Sequence, residues 1–130
     1  MMIKNISAIV VLLLLLGGCS QMPVASHASG GVNHLILIWL KDGGNPEHRY
    51  QIIEATRALQ QLPGVISVRV GSVIPSNRSV VDDSFDVGVH MLFSDQQSME
   101  RYSANPEHVR IVNQLVMPLT KRLVIYDFEE

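Results

Sequence analysis

Val32-Asn33-His34-Leu35-Ile36-Leu37-Ile38-Trp39-Leu40-Lys41 is apolar in both registers of a strand. Alternate side chains of a strand point to opposite faces, so Val32, His34, Ile36, Ile38 and Leu40 line one side and Leu35, Leu37 and Trp39 the other. Neither side suits water. A chain of 130 residues can lay its own helices over only one face of a small sheet, so the second face calls for a second sheet or subunit. A homodimer is the expectation.

Outward from this strand, Lys41-Asp42-Gly43-Gly44 reads as a turn. Asn45-Pro46-Glu47 reads as a helix start, with Asn as cap, Pro at the first helical position and an acid facing the positive end of the dipole. Ile52, Ile53, Thr56 and Leu59 give that helix an apolar stripe, and Leu62-Pro63-Gly64 stops it. A Val/Ile-rich strand is expected over Val65–Ile74 and a polar loop over Pro75–Asp83. The next strand, Ser84–Phe93, places Phe85, Val87, Val89, Met91 and Phe93 on one face and Asp86, Gly88, His90 and Leu92 on the other. Ser94 with Gln97 has the form of a capping box for a short helix holding Met99 and Tyr102.

Asn105-Pro106-Glu107 starts the next helix, with a stripe of Val109, Val112, Leu115, Val116 and Leu119. Pro118 should end it near Met117. A last strand covers Arg122–Phe128. The order β-α-β-β-α-α-β with a broken second helix predicts an α+β, ferredoxin-like domain with a four-stranded antiparallel sheet, closed by dimerisation into an α/β barrel. Asn-Pro-Glu-His occurs at 45 to 48 and again at 105 to 108, a repeat that two good helix starts explain without duplication.

The N-terminus reads as a leader over residues 1–18. Lys4 is its positive region, Ile6–Leu16 its apolar run and Leu16-Gly17-Gly18-Cys19 its processing site. The apolar run falls short of the roughly 20 residues that span a bilayer. Leu-Gly-Gly-Cys resembles the lipobox of bacterial lipoproteins, which implies lipidation of Cys19 and a membrane-anchored mature chain. Ser20, not an acid, follows the cysteine, which in such lipoproteins implies the outer membrane, at its periplasmic face. Residues 19–31 are small and polar and read as a flexible tether to a domain over 32–129. Cys19 is the single cysteine, so no intramolecular disulfide is available and burial must hold the fold. A net charge of −2 argues against a nucleic-acid partner.

The stretches His34-Leu35-Ile36-Leu37 with Lys41-Asp42-Gly43, Leu62-Pro63-Gly64-Val65 with Val70-Gly71, Phe93-Ser94-Asp95, Tyr102 through Asn105-Pro106-Glu107-His108, and Tyr126-Asp127-Phe128 together resemble the stress-responsive A/B barrel (Dabb) family. The resemblance implies a dimer of back-to-back sheets. Within that family, plant polyketide cyclases such as olivetolic acid cyclase use a tyrosine and a histidine that match Tyr102 and His108, with a first-strand histidine matching His34. A further pocket histidine of those cyclases is replaced here by Val87.

His108 falls in the first turn of its helix, where the dipole disfavours imidazolium, and a neutral imidazole can accept a proton. Tyr102 can hold a carbonyl or enolate oxygen, and the two suffice for a cofactor-free aldol or Claisen closure. The plain alternative is a capping, packed His108 beside a space-filling Tyr102. His34 is either a packed histidine or the wall of a ligand pocket. His90 suits a cross-strand hydrogen bond, His48 a helix surface, and His27 has no assigned role. The histidines and carboxylates lack ligand spacing and Gly43-Gly44 lacks a phosphate-loop pattern, so neither metal nor cofactor is expected. The leading expectation is an envelope-anchored homodimer that binds a small apolar or aromatic molecule or serves in stress response. Its rivals are a cofactor-independent cyclase or monooxygenase-like enzyme, and a purely structural dimer.

Overall fold

Because it is apolar on both faces, the first strand takes an interior position in the sheet. The computed structural model describes residues 31–130, with β1 (Val32–Leu40), α1 (Pro46–Ala58), β2 (Val65–Ser72), β3 (Val87–Phe93), α2 (Gln96–Ser103), α3 (Pro106–Ile111) and β4 (Thr120–Glu129). The leader, Cys19 and the tether up to Gly30 lie outside the described residues. The strands pair antiparallel in the order β2-β3-β1-β4, which is the ferredoxin-like arrangement. Among the described residues no helix is long and apolar enough to cross a membrane.

The helices cover the face that carries Val32, Ile36, Ile38 and Leu40 of β1 and Val87, Val89, Met91 and Phe93 of β3. The four β3 side chains are fully buried, and burial of each contributes about 1.5–3 kcal/mol. α1 lays Ile52, Ala55 and Thr56 against them, and its first turn is capped as expected by Asn45, whose side chain accepts from the Glu47 and His48 N–H groups. The opposite face of the sheet is uncovered. It presents Leu35, Leu37 and Trp39 of β1, Leu92 of β3, and Val124, Tyr126 and Phe128 of β4, with Tyr126 and Phe128 more than half exposed. Its arginines stand on the outer strands: Arg69 on β2 and Arg122 on β4, the latter 4.4 Å over the Trp39 ring.

Several expectations need correction. β3 begins at Val87, not Ser84, because the chain leaves the pleat at Phe85 and Asp86. Phe85 lies on the uncovered side, edge-on to Trp39 and against Gly88, not in line with Val87. The Asp86 carboxylate turns to the backbone of the β1–α1 turn, accepting from the Leu40 and Gly44 N–H groups at 2.9 and 2.7 Å. β2 stops at Ser72, short of Ile74, while β4 is longer at both ends than expected. The cap of α2 is Asp95, which accepts from the Ser98 N–H at 2.6 Å, one residue beyond the expected Ser94.

The third helix also differs. Regular α-helix ends at Ile111, a π-helical turn covers Val112–Val116, and a 3₁₀ turn covers Met117–Leu119. Pro118 has no N–H to donate and its ring crowds the carbonyl four residues back, so the backbone widens ahead of it. That shift in phase buries Ile111 and Val116 and leaves the expected stripe residues Val109 and Leu115 substantially exposed.

Candidate functional site

Register puts His34 of β1 between Met91 of β3 and Asp127 of β4, all on the helix-facing side of the sheet. The His34 Nδ1–H donates to Asp127 Oδ1 at 2.5 Å. A ring of aromatic contacts then climbs from sheet to helices. His34 meets Phe93 edge-on at 6.2 Å, Phe93 leans on Tyr102 of α2 at 5.0 Å, and Tyr102 leans on His108 of α3 at 4.5 Å. The structure therefore brings all three sequence-predicted residues, Tyr102, His108 and His34, into one cluster.

His108 is placed by its helix start. Asn105 caps the turn by accepting from the Glu107 N–H, Pro106 supplies the first helical position, and the imidazole folds back so that its Nδ1–H donates to the Ser103 carbonyl at 3.0 Å. A carbonyl can only accept, so Nδ1 carries the proton and Nε2 keeps its lone pair in the neutral ring. Burial holds the His108 pKa below the ordinary imidazole value of 6.5; His34 adds to that lowering, and the bond to Ser103 opposes it. The consequence for stability has a definite sign. The unfolded chain binds this proton more readily than the folded one, so stability is full above about pH 6.5 and declines as the pH falls through the depressed folded value. His108→Gln should flatten the decline between pH 6.5 and 5 in urea unfolding curves, and an unchanged slope would assign the proton elsewhere.

Tyr102 does not stand where an oxygen-holding partner of His108 would. Its side chain is buried and its hydroxyl donates to the Met91 sulfur at 3.4 Å, a weak acceptor. Burial raises its pKa well above the phenol range, so the group stays a neutral donor. The rings of Tyr102 and His108 touch, while the hydroxyl serves the core.

Asp127 is the partner of His34 that the sequence alone left without a role. The signal was a helix-face position on the last strand, visible only once the β1–β4 register is known. Asp127 remains 44 % exposed while His34 is 12 % exposed, and Ile125, the next helix-facing residue of β4, is also nearly half exposed. The helical layer thus leaves β4 open beside His34. Asp127 also borders a shallow cavity of about 250 Å³ with Val32, Gln96, Met99 and Glu129.

The remaining histidines separate from this cluster. The His90 Nε2–H donates to Asn33 Oδ1 at 2.8 Å across the uncovered face, the cross-strand bond anticipated. His48 is half-buried on α1, not a free surface residue, and its Nδ1 has no partner among the described residues. His27 and Cys19 lie outside the described residues. Among the described residues no three His, Cys, Asp or Glu side chains gather as a metal site would need.

Comparison with known proteins follows the same lines. The chain is 25% identical over 109 residues to a stress-response A/B barrel domain-containing protein of Arabidopsis thaliana, covering 84% of this chain and 40% of that one. It thus spans well under half the length of that relative. Among solved structures it resembles a dimeric ferredoxin-like protein of unknown function from Thermobifida fusca, at 18% identity and a TM-score of 0.62, over 78% of this chain and 92% of that one. It also resembles the hydroxynitrile lyase of Passiflora edulis, at 15% identity and a TM-score of 0.67, over 77% of this chain and 93% of that one. At these identities the solved structures speak for the fold. The stress responsive A/B barrel domain model matches residues 32–130, from the first residue of β1 to the chain end, and the protein belongs to that family.

Proposed function

We propose that this protein is a homodimeric binder of a small apolar or aromatic molecule bearing a hydroxyl, held by a lipidated Cys19 at the periplasmic face of the outer membrane and serving in stress response. The observation that carries the ligand assignment is the pair of imidazoles at the two ends of the Phe93–Tyr102 wall. Asp127 holds the Nδ1 of His34 and the Ser103 carbonyl holds that of His108, so the Nε2 of each ring is left with no partner among the described residues. Such a site offers acceptors for a ligand hydroxyl at the edge of an aromatic core, and the apolar part of a ligand would lie along the open β4 side beside His34, where Ile125 is 46% exposed. The homodimer is supported by the largely apolar uncovered sheet face and by the dimeric state of the Thermobifida fusca relative in fold.

Native mass spectrometry of the full chain should show a co-purified small molecule, released in His34→Ala and His108→Ala variants that keep the wild-type circular dichroism spectrum. Retention of the molecule by both variants would move the ligand away from this cluster. The anchor has its own check: Cys19→Ala should abolish the lipid-modified N-terminal peptide and release the protein from the membrane fraction.

The His34–Asp127 pair favours a second reading, a cofactor-independent enzyme akin to the polyketide cyclases the sequence resembles, or a monooxygenase-like one. A carboxylate on Nδ1 fixes the tautomer and stabilises the imidazolium formed when Nε2 takes a proton. The hydroxynitrile lyase shows that this fold can house an enzyme. In that reading His34 is the better-supported base, with His108 beside it, and Tyr102 must turn from Met91 to hold a substrate oxygen. Turnover in a screen of envelope metabolites, lost in His34→Gln and in His108→Ala, would select the enzyme over the binder.

A further inference from the structure

Between β2 and β3 the chain makes an excursion over residues 73–86 that belongs to neither the sheet nor the helical layer. It is internally fastened: the Ser76 N–H donates to Asp83 Oδ2 at 2.8 Å, the Val81 N–H to the Arg78 carbonyl at 3.0 Å, and the Ser84 N–H to Asp82 Oδ1 at 3.0 Å. Its root is fixed on the uncovered face, where the Trp39 Nε1–H donates to Ser84 Oγ at 3.1 Å and Phe85 packs edge-on against the same indole. An arm so held nevertheless leaves Ile74 82% and Val80 88% exposed. Two β-branched aliphatic side chains in water on an ordered arm have no part in this chain's own core.

The sheet beside the arm is hollow. Gly71 of β2 pairs with Gly88 of β3; a Cβ at Gly71 would meet nothing within 4 Å, while Gly88 is covered by the Phe85 ring, 3.4 Å from where its Cβ would stand, so the hollow lies over Gly71. Together with Phe85 these glycines floor a groove of about 510 Å³ between arm and sheet, at the β2 side of the uncovered face. A four-stranded face offers only about 19 × 25 Å, roughly 480 Å², from ordinary strand spacing and rise. A standard specific interface buries about 800 Å² per partner, so the sheet alone falls short.

We propose that the 73–86 arm is a dimerisation clasp, reaching from the rim of its own sheet onto a second copy of this chain, with Ile74 and Val80 as its contact tips and the trough over Gly71, walled by Phe85, receiving aliphatic side chains of that copy. This rests on the homodimer reading above and assigns it a second contact region beyond the sheet faces. By two-fold symmetry each clasp acts twice, so its loss is doubled. Sedimentation equilibrium of the full chain in density-matched detergent tests it, with the double variant Ile74→Ser/Val80→Ser and, separately, Gly71→Glu. Each should raise the dimer dissociation constant at least tenfold while leaving the circular dichroism spectrum unchanged, since none of these side chains supports the core. If either variant dimerises like wild type the clasp is wrong, even where the sheet-face variant Leu37→Asp still breaks the dimer. A wild-type chain that stays monomeric at all concentrations would overturn the clasp and the homodimer together.

Discussion

Leu37→Asp should leave the full chain without a stable dimer, as a monomer that aggregates as concentration rises. Leu37 stands mid-strand on β1, on the uncovered face, directly between Gly88 of β3 and Val124 of β4. Its neighbours on that face are Leu35 and Trp39 on its own strand, with His90 of β3 and Arg122 of β4 diagonal to it; His90 is bonded to Asn33 and Arg122 lies over the Trp39 ring, so neither is free to pair with a carboxylate at position 37. In a face-to-face dimer the new charge would be taken from water into an apolar contact without a partner, which costs several kcal/mol. A two-fold interface would take the penalty twice. An increase of at least about 100-fold in the dissociation constant corresponds to about 2.7 kcal/mol and is a modest reading of those terms. The fold of each monomer should persist because the helix-covered core is untouched. Sedimentation equilibrium decides it, and a dimer of unchanged affinity would place the interface on another surface.

The two-sided character of β1 was legible because strand periodicity depends on nothing but the order of residues, and it fixed both the core row and the uncovered row. The starts of α1 and α3 were equally legible, since Asn-Pro-Glu supplies cap, φ constraint and dipole partner within three residues. Phe85 and Asp86 were not. Their alternation with Val87 and Gly88 continues the strand pattern smoothly, and only the arrival of the β1–α1 turn offers Asp86 two backbone donors strong enough to pull the chain out of the pleat. Pro118 announced a disturbance, but the choice of a π-helical turn over a clean stop depended on which residues the sheet could bury, Ile111 and Val116.

The site shows the same division. Tyr102, His108 and His34 could be named because the sequence resembles A/B barrel cyclases that use a tyrosine and histidines at these positions, and His108 also falls at a recognisable helix start. The His34–Asp127 bond joins residues 93 positions apart and is set by a strand register that no local pattern states. Whether the Tyr102 hydroxyl faced His108 or the core was likewise a matter of packing, settled by the Met91 sulfur within its reach.

Asp86→Ala should be the most damaging single loss of a polar group in the molecule, at about 3 kcal/mol or more. Asp86 is 9% exposed, and its carboxylate binds the last N–H of β1 at Leu40 and the Gly44 N–H ahead of the α1 cap. The Asp86 backbone joins the same knot: its N–H donates to the Ile38 carbonyl and its own carbonyl accepts from the Val73 N–H. Each hydrogen bond to a charged group contributes about 1.5–3 kcal/mol, and alanine leaves two donors without their acceptor. Water can reach Gly44 more readily than Leu40, which keeps the total below the simple sum. For a domain of this size such a loss lowers the melting temperature by roughly 12–20 °C. Asp86→Asn separates the two bonds, because an amide presents one carbonyl to one N–H and turns an NH₂ toward the other; about half the loss should return. Both variants should be compared at equal protein concentration, since the proposed dimerisation would make apparent stability concentration-dependent. Because Asp86 fastens the end of β1 opposite to His34, small-molecule retention at the His34–His108 cluster should survive in Asp86→Asn below its melting temperature. A melting temperature within about 4 °C of wild type in Asp86→Ala would mean an effect of no more than about 1 kcal/mol. That result would show that the β1–α1 turn is held by its packing and not by this carboxylate.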